Sequence, residues 1–237
     1  MTPDLPQVII TCEHAGNMVP ERYRHLFRNH RELLDTHRGY DIGALPLARR
    51  IAKALNAPLF FTKYTRLFVE ANRSLHHRNL FSAMTKDIAE KDRQHILKAY
   101  YLPYRNQVDR CVRHLIQTGK QVIHLSIHTF TPVLDGKIRS TDIGILYDPG
   151  RSMEKSVSTL LINTFNSLSP PVLKCRRNYP YKGISDSLTK SLRKQFADHQ
   201  YAGLEIEVNQ KFHLNGDRSW KIVCNQITAV MKTAFCD

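Results

Sequence analysis

A single three-layer α/β/α domain, built on a mostly parallel or mixed central sheet, is the fold class this sequence predicts. Three observations predict it. Short β-branched runs alternate along the chain with longer amphipathic stretches, the pattern that places helices on both faces of a sheet. The chain has 237 residues, enough for one large core. No linker, repeat or composition break divides it, so residues 1–237 read as one domain.

QVIITC (Gln7 to Cys12) is a short β-branched run that reads as a buried strand, closed by the polar turn EHAGN. Asp41 to Asn56 has helical spacing, with Ile42, Leu45, Ile51 and Leu55 on one face. Asn56-Ala57-Pro58 stops it, and Leu59 to Phe61 form the next strand, completing a β-α-β opening. A helical region follows from Lys91 to Thr118, which Pro103 is expected to kink or divide. QVIHLSIH (Gln121 to His128) alternates as a strand, with Val122, His124, Ser126 and His128 on one face. DIGILYD is another strand, and a helix is expected over Met153 to Asn166. Ile184 to His199 reads as helix, Gly203 to Gln210 as strand and Asp217 to Ala234 as the last helix.

Composition narrows the function. Hydrophobic residues make up 42% and charged residues 24%, which excludes a disordered or collagen-like chain. The apolar stretches are too short to span a bilayer, and the opening MTPDLPQVIITCEH lacks the pattern of a signal peptide. Five scattered cysteines without a CxxC pair argue against a disulfide framework or a cysteine zinc site. The expectation is a cytoplasmic protein.

The net charge is +14, from 35 Lys and Arg against 21 Asp and Glu. These basic residues are dispersed, the densest cluster being Lys174, Arg176 and Arg177 followed by Lys182. No RNP, zinc-finger or P-loop pattern accompanies them, so a nucleic-acid partner rests on net charge alone. Steering of a carboxylate-bearing substrate uses the charge equally well.

Sites in open α/β sheets form beyond the carboxyl ends of strands. His14, Asp41 and His128 stand at such places or at a helix start, and two histidines with a carboxylate make a catalytic metal set. Each also has an ordinary reading. His14 can be a turn residue, Asp41 a helix N-cap, and His128 a half-buried strand histidine. Glu205, Glu207 and Asn209 share one strand face, which fits a solvated edge strand as well as a site. TRLFVEANRS gathers Arg66, Glu70, Asn72 and Arg73. Such a group can grip a carboxylate, or it can be a surface loop with one internal salt bridge. NYPYKG (Asn178 to Gly183) is a constrained aromatic loop that can line a pocket.

CEHAGN, HRGYDIGA (His37 to Ala44), TRLFVEANRS, SIHTFTPV (Ser126 to Val133), DIGILYDP, NYPYKGISD and YAGLEIEVNQ together resemble the N-formylglutamate amidohydrolase family, in its order and over nearly the whole chain. The match is to its shorter branch. The resemblance implies a fold akin to zinc carboxypeptidases and metal-dependent hydrolysis of N-formyl-L-glutamate to formate and glutamate. It implies a divalent metal, expected to be Zn2+, held by His14, Asp41 and His128. It implies Glu207 as general base, with Glu205 as the alternative, and Asn72 with Arg73 on a substrate carboxylate. Arg66, Arg139 and Lys182 complete the candidates for holding a small anionic N-acyl amino acid.

Two departures stand out. Ser126 occupies the place of an acidic residue two before His128, removing a partner for that histidine. Asp186-Ser187 replaces an Asp-Gly after the aromatic loop. The alternatives are another N-acyl amino acid or peptide-like amide on the same scaffold, or a non-enzymatic basic protein that binds nucleic acid.

Overall fold

The computed structural model describes residues 6–167 and 173–236. The first strand, β1 (Gln7–Cys12), leads through a 3-10 segment (Glu21–His30) and a single turn α1 (Arg31–Leu34) to helix α2 (Ala44–Ala54) and strand β2 (Leu59–Phe61). Helix α3 (Glu90–Ile96) passes through a π turn (Leu97–Tyr101) into α4 (Leu102–Gln117). Pro103 thus divides the long helical region as expected, because its ring cannot continue the preceding hydrogen-bond ladder.

Strand β3 (Val122–Phe130) precedes a hairpin of β4 (Val133–Leu134) and β5 (Lys137–Ile138). After it come β6 (Ile143–Leu146), α5 (Ser152–Ser167), β7 (Cys175–Arg177), α6 (Leu188–Arg193), β8 (Tyr201–Asn209), α7 (Lys211–Leu214) and α8 (Asp217–Phe235). The sequence overextended one element. The helix expected over Ile184 to His199 is confined to α6, because the chain before Ser187 is drawn into the cavity wall described below. Ser187 caps α6 by accepting the Lys190 N–H at 3.2 Å.

Among the described residues, six strands form the main sheet in the order β2-β1-β3-β8-β6-β7. The pairs β1–β2, β1–β3, β3–β8 and β6–β7 are parallel, and β6–β8 is antiparallel. The sheet is therefore mixed and mostly parallel. On one face Ile10, Leu125, Ile127, Leu204 and Ile206 pack with Ala44, Leu47 and Ile51 of α2, Leu161 of α5 and Ile227 of α8. On the other, Ile9, Val122 and Tyr201 meet Tyr104, Val108 and Val112 of α4 and Leu188 and Leu192 of α6. These are the three layers the sequence predicts. Among the described residues no helix is long and apolar enough to cross a membrane.

The second face is apolar only over the amino-terminal halves of the central strands. Alternation puts Thr11 of β1, His124, Ser126 and His128 of β3, and Glu205 and Glu207 of β8 on that same side. All are buried. Glu205 and Glu207 lie on a strand flanked by β3 and β6, so the edge-strand reading does not hold. Gly144 of β6 pairs with Glu207. A Cβ there would meet the Tyr179 carbonyl oxygen at 1.8 Å, so the aromatic loop crosses the sheet where only glycine fits.

Candidate active site

At the carboxyl ends of β1, β3 and β8 the polar residues converge on a cavity of about 190 Å³. His14 is the second residue after β1, and His128 lies near the end of β3. Asp41 precedes α2, but it is not the N-cap: that position belongs to Gly43, at φ +86°. Freed from capping, the Asp41 side chain turns into the site. Its Oδ2 lies 3.2 Å from His14 Nδ1 and 2.8 Å from His128 Nδ1. Oδ1 accepts from Arg66 at 3.4 Å.

The far nitrogens of the histidines also meet carboxylates. His14 Nε2 is 2.5 Å from Glu70 Oε1, and His128 Nε2 is 3.1 Å from Glu13 Oε2. Arg66 joins Glu70 to Asp41, donating its Nε to Glu70 Oε2 at 2.9 Å. The internal salt bridge expected in TRLFVEANRS is present, but it is part of the site and not of a surface loop. Glu70 and Asn72 are both buried.

Burial disfavours the charged form of Asp41, but the neighbouring histidines outweigh it and hold the carboxyl well below the usual range. Glu13 and Glu70 are held down in the same way, Glu13 chiefly by His128 and Glu70 by Arg66 and His14. Burial also opposes charge on His14 and His128, yet their carboxylate partners raise both. The cluster is a set of buried anions that requires positive charge between them.

Two imidazole nitrogens and a carboxylate oxygen, all within 4.8 Å of one another, form a donor set suited to zinc or another divalent cation. The carboxylates on the far nitrogens are the usual support of histidine ligands. Glu207 supplies a further sign of fit. Its Oε2 is buried and has no hydrogen-bond partner, an arrangement that costs stability unless something else engages it. Burial pushes Glu207 up to about 7, Asp41 and Glu205 adding to the rise and His128 opposing it.

The remaining candidates divide. Glu205 accepts from Thr189 Oγ1 at 3.0 Å and lines the cavity beside Glu207. Asn72, Arg73, Arg66 and Lys182 line it as well. Asn72 Oδ1 accepts the Leu188 N–H at 2.8 Å, leaving its NH2 as donor. Arg73 donates to the Asp186 carbonyl, and Asp186 Oδ2 accepts the Ser74 N–H at 2.9 Å. These contacts fasten Asn72-Arg73-Ser74 to Asp186-Ser187-Leu188 as one wall. Arg139 stands apart from the cavity lining: it donates to the Tyr181 hydroxyl at 3.1 Å and covers that ring, so it braces a residue of the wall.

Sequence reasoning missed Glu13; it gave Tyr181 only as part of a loop that can line a pocket and Asp186 only as a departure beside that loop, and both line the cavity. For Glu13 a signal existed, since alternation after Ile9 and Thr11 puts it on the face that carries His128. The Ser126 departure does not remove the carboxylate behind His128. Glu13 brings one from the turn that follows the adjacent strand β1.

Comparison with known proteins bears on both fold and chemistry. The family description of N-formylglutamate amidohydrolase matches residues 6–214. A gene product of Agrobacterium tumefaciens has a structure similar to this one, with a TM-score of 0.81 and 24% identity over 98% of this chain and 91% of that one. The N-formylglutamate amidohydrolase of Ralstonia eutropha superposes with a TM-score of 0.71 and 15% identity, over 98% of this chain and 94% of that one. A metallo-carboxypeptidase of Burkholderia cenocepacia reaches a TM-score of only 0.38, covering 57% of that chain, too low to bear on the chemistry. No curated protein matches the sequence.

Proposed function

The chain belongs to the N-formylglutamate amidohydrolase family and is a hydrolase acting on an amide, and from that premise we propose that it cleaves N-formyl-L-glutamate to formate and L-glutamate with the help of a divalent metal. The convergence of His14, Asp41 and His128 beside the unpartnered Glu207 oxygen is the observation that carries this reading. His14 Nδ1, Asp41 Oδ2 and His128 Nδ1 would hold the cation. When bound, a metal such as Zn2+ supplies Lewis-acid polarisation of the amide carbonyl and of the attacking water.

The protein's own residues do the rest. Glu207, ionised, accepts a proton from the attacking water and delivers it to the leaving nitrogen as the C–N bond breaks. The water oxygen stays on the formyl carbon, and the glutamate amine departs neutral. Glu205 is the weaker candidate for base because Thr189 already occupies one of its oxygens. Asn72, Arg73 and Lys182 face the cavity as donors for the substrate carboxylates. Arg66 is committed to Asp41 and Glu70 and serves the site by balancing those anions. Holding the substrate in this way lowers the barrier by several kcal/mol, on the order of other proximity effects.

We take residues 1–237 as one catalytic domain. A cytoplasmic location is supported by five cysteines that are all unpaired. The test is formate release from N-formyl-L-glutamate by chelated protein, repeated after adding zinc, cobalt or manganese. Turnover restored by metal is the expected result. Bound metal without formate from this substrate would transfer the reading to another N-acyl amino acid. Absence of both formate and bound metal would overturn it.

A further inference from the structure

Each histidine of the donor set is backed by a carboxylate, and the one behind His128 comes from the turn that follows the neighbouring strand β1. Glu13 is 1% exposed. Tyr104 donates its hydroxyl to Glu13 Oε1 at 2.8 Å, and Ser126 donates its hydroxyl to Oε2 at 2.6 Å. Oε2 also lies 3.1 Å from His128 Nε2, and Ser126 Oγ lies 2.8 Å from the same nitrogen. Once Ser126 has given its only hydrogen to Glu13, its oxygen offers His128 nothing but lone pairs. Both groups against Nε2 are then acceptors. That nitrogen must carry hydrogen, and in the neutral ring the lone pair falls on Nδ1, which faces Asp41 at 2.8 Å.

We propose that Glu13 is the positioning residue for His128, holding the ring with hydrogen on Nε2 so that Nδ1 is the ligand; the inference rests on the metal-dependent reading above. The register shows how a residue just past the end of β1 performs this task. Thr11 pairs with Ser126, and Glu13 and His128 each follow two residues later on the same face. Position 126 is the other place from which a side chain reaches Nε2, and here it carries a hydroxyl. The two positions share one duty, with the acid just past β1 and the bridging hydroxyl on β3. Moving the acid from one to the other keeps the buried charge and nearly the same number of side-chain atoms.

The experiment compares wild type, Glu13→Gln, Glu13→Ser and the exchange Glu13→Ser with Ser126→Asp. Zinc Kd is measured by competition with a chelator, and the Tm of each metal-free protein is recorded. The ring nitrogens of His128 are followed by NMR in zinc-loaded, 15N-histidine protein. In Glu13→Gln an amide NH2 can face Nε2, which favours hydrogen on Nδ1 and blocks the ligand atom. Zinc binding is expected to weaken roughly 10- to 100-fold, the usual cost of losing such a support. The exchange is expected to return Kd to within about threefold of wild type, with hydrogen again on Nε2.

Zinc affinity of Glu13→Gln within about threefold of wild type would overturn the proposal. So would an exchange variant that folds but binds zinc no better than Glu13→Ser. If Glu13→Gln does not fold, the exchange decides alone; if neither folds, Glu13 is a residue of the fold and not of the site. Wild-type protein that takes up no zinc overturns the metal reading itself, a distinct result.

Discussion

Glu207 and His128 are register partners on the adjacent parallel strands β8 and β3, so a carboxylate with an unpartnered oxygen stands beside a histidine of the donor set. The pairing fixes this neighbourhood through backbone hydrogen bonds, not through loop conformation. A base built on rigid elements keeps its distance to the reacting atoms.

Replacing that carboxylate by its amide isostere separates base from ligand. Glu207→Gln is expected to lower kcat for formate release by about 10²- to 10⁴-fold while metal analysis shows stoichiometric zinc. Glu205→Gln is expected to lose less than about tenfold, since its neighbour retains the base. Normal turnover in Glu207→Gln would reject the assignment.

Metal removal is expected to register in stability as well as activity. Zinc at about 100 times its Kd adds about 3 kcal/mol to the folded state, seen as a lower Tm after chelation. In Asp41→Asn that difference should nearly vanish, because the shared anion facing both histidines is gone. An unchanged zinc-dependent Tm shift in this variant would exclude Asp41 as a ligand.

Arg73 lines the cavity and fastens the wall through Asp186. Arg73→Lys keeps the charge but loses the planar fork that suits a carboxylate. KM for N-formyl-L-glutamate should rise roughly tenfold or more, the scale of a hydrogen bond to a charged group, with kcat changed far less. A KM equal to wild type would remove Arg73 from substrate binding.

His124 provides a pH test away from the donor set. It sits between Thr11 Oγ1 and the Tyr201 hydroxyl, each at 2.7 Å. Burial holds its pKa down at about 4, with Arg193 and Arg105 adding to the effect and Glu13 opposing it. The unfolded chain binds a proton near pH 6.5, so between these values the unfolded state carries more protons. Its contribution is complete above about pH 6.5 and is lost as pH falls toward 4, a loss of about 3 kcal/mol. Urea unfolding at neutral pH and near pH 4.5 should show this dependence in wild type and a flatter one in His124→Gln. Equal pH dependence in both proteins would refute it.

Much of the fold and part of the site are legible in the sequence. Alternation in QVIHLSIH and GLEIEVNQ assigns His124, Ser126, His128, Glu205 and Glu207 to single faces because side-chain direction in a strand follows local geometry. The β-α-β opening and the terminal helix follow equally from apolar spacing. The end of a helix is less secure. Residues after Ile184 have helical character, but Arg73 and Ser74, more than a hundred positions away in the chain, hold Asp186 out of the helix, and Asn72 takes the N–H of Leu188, where α6 begins.

Strand faces, the alternation of helices and strands, and the residue types that suit a metal-dependent amide hydrolase all follow from local spacing along the chain. What those residues face depends on segments far apart in the chain. Asp41 reads locally as a helix cap, and it became the shared partner of two histidines because Gly43 took the cap and β1 and β3 lie side by side. Glu70 and Arg66 read as a surface pair, and burial against His14 made them part of the site. Glu13 shows the division most clearly. The strand that it follows, β1, sets the direction of its side chain, but its partner, His128, belongs to another strand, and spacing along the chain carries no information about that distance.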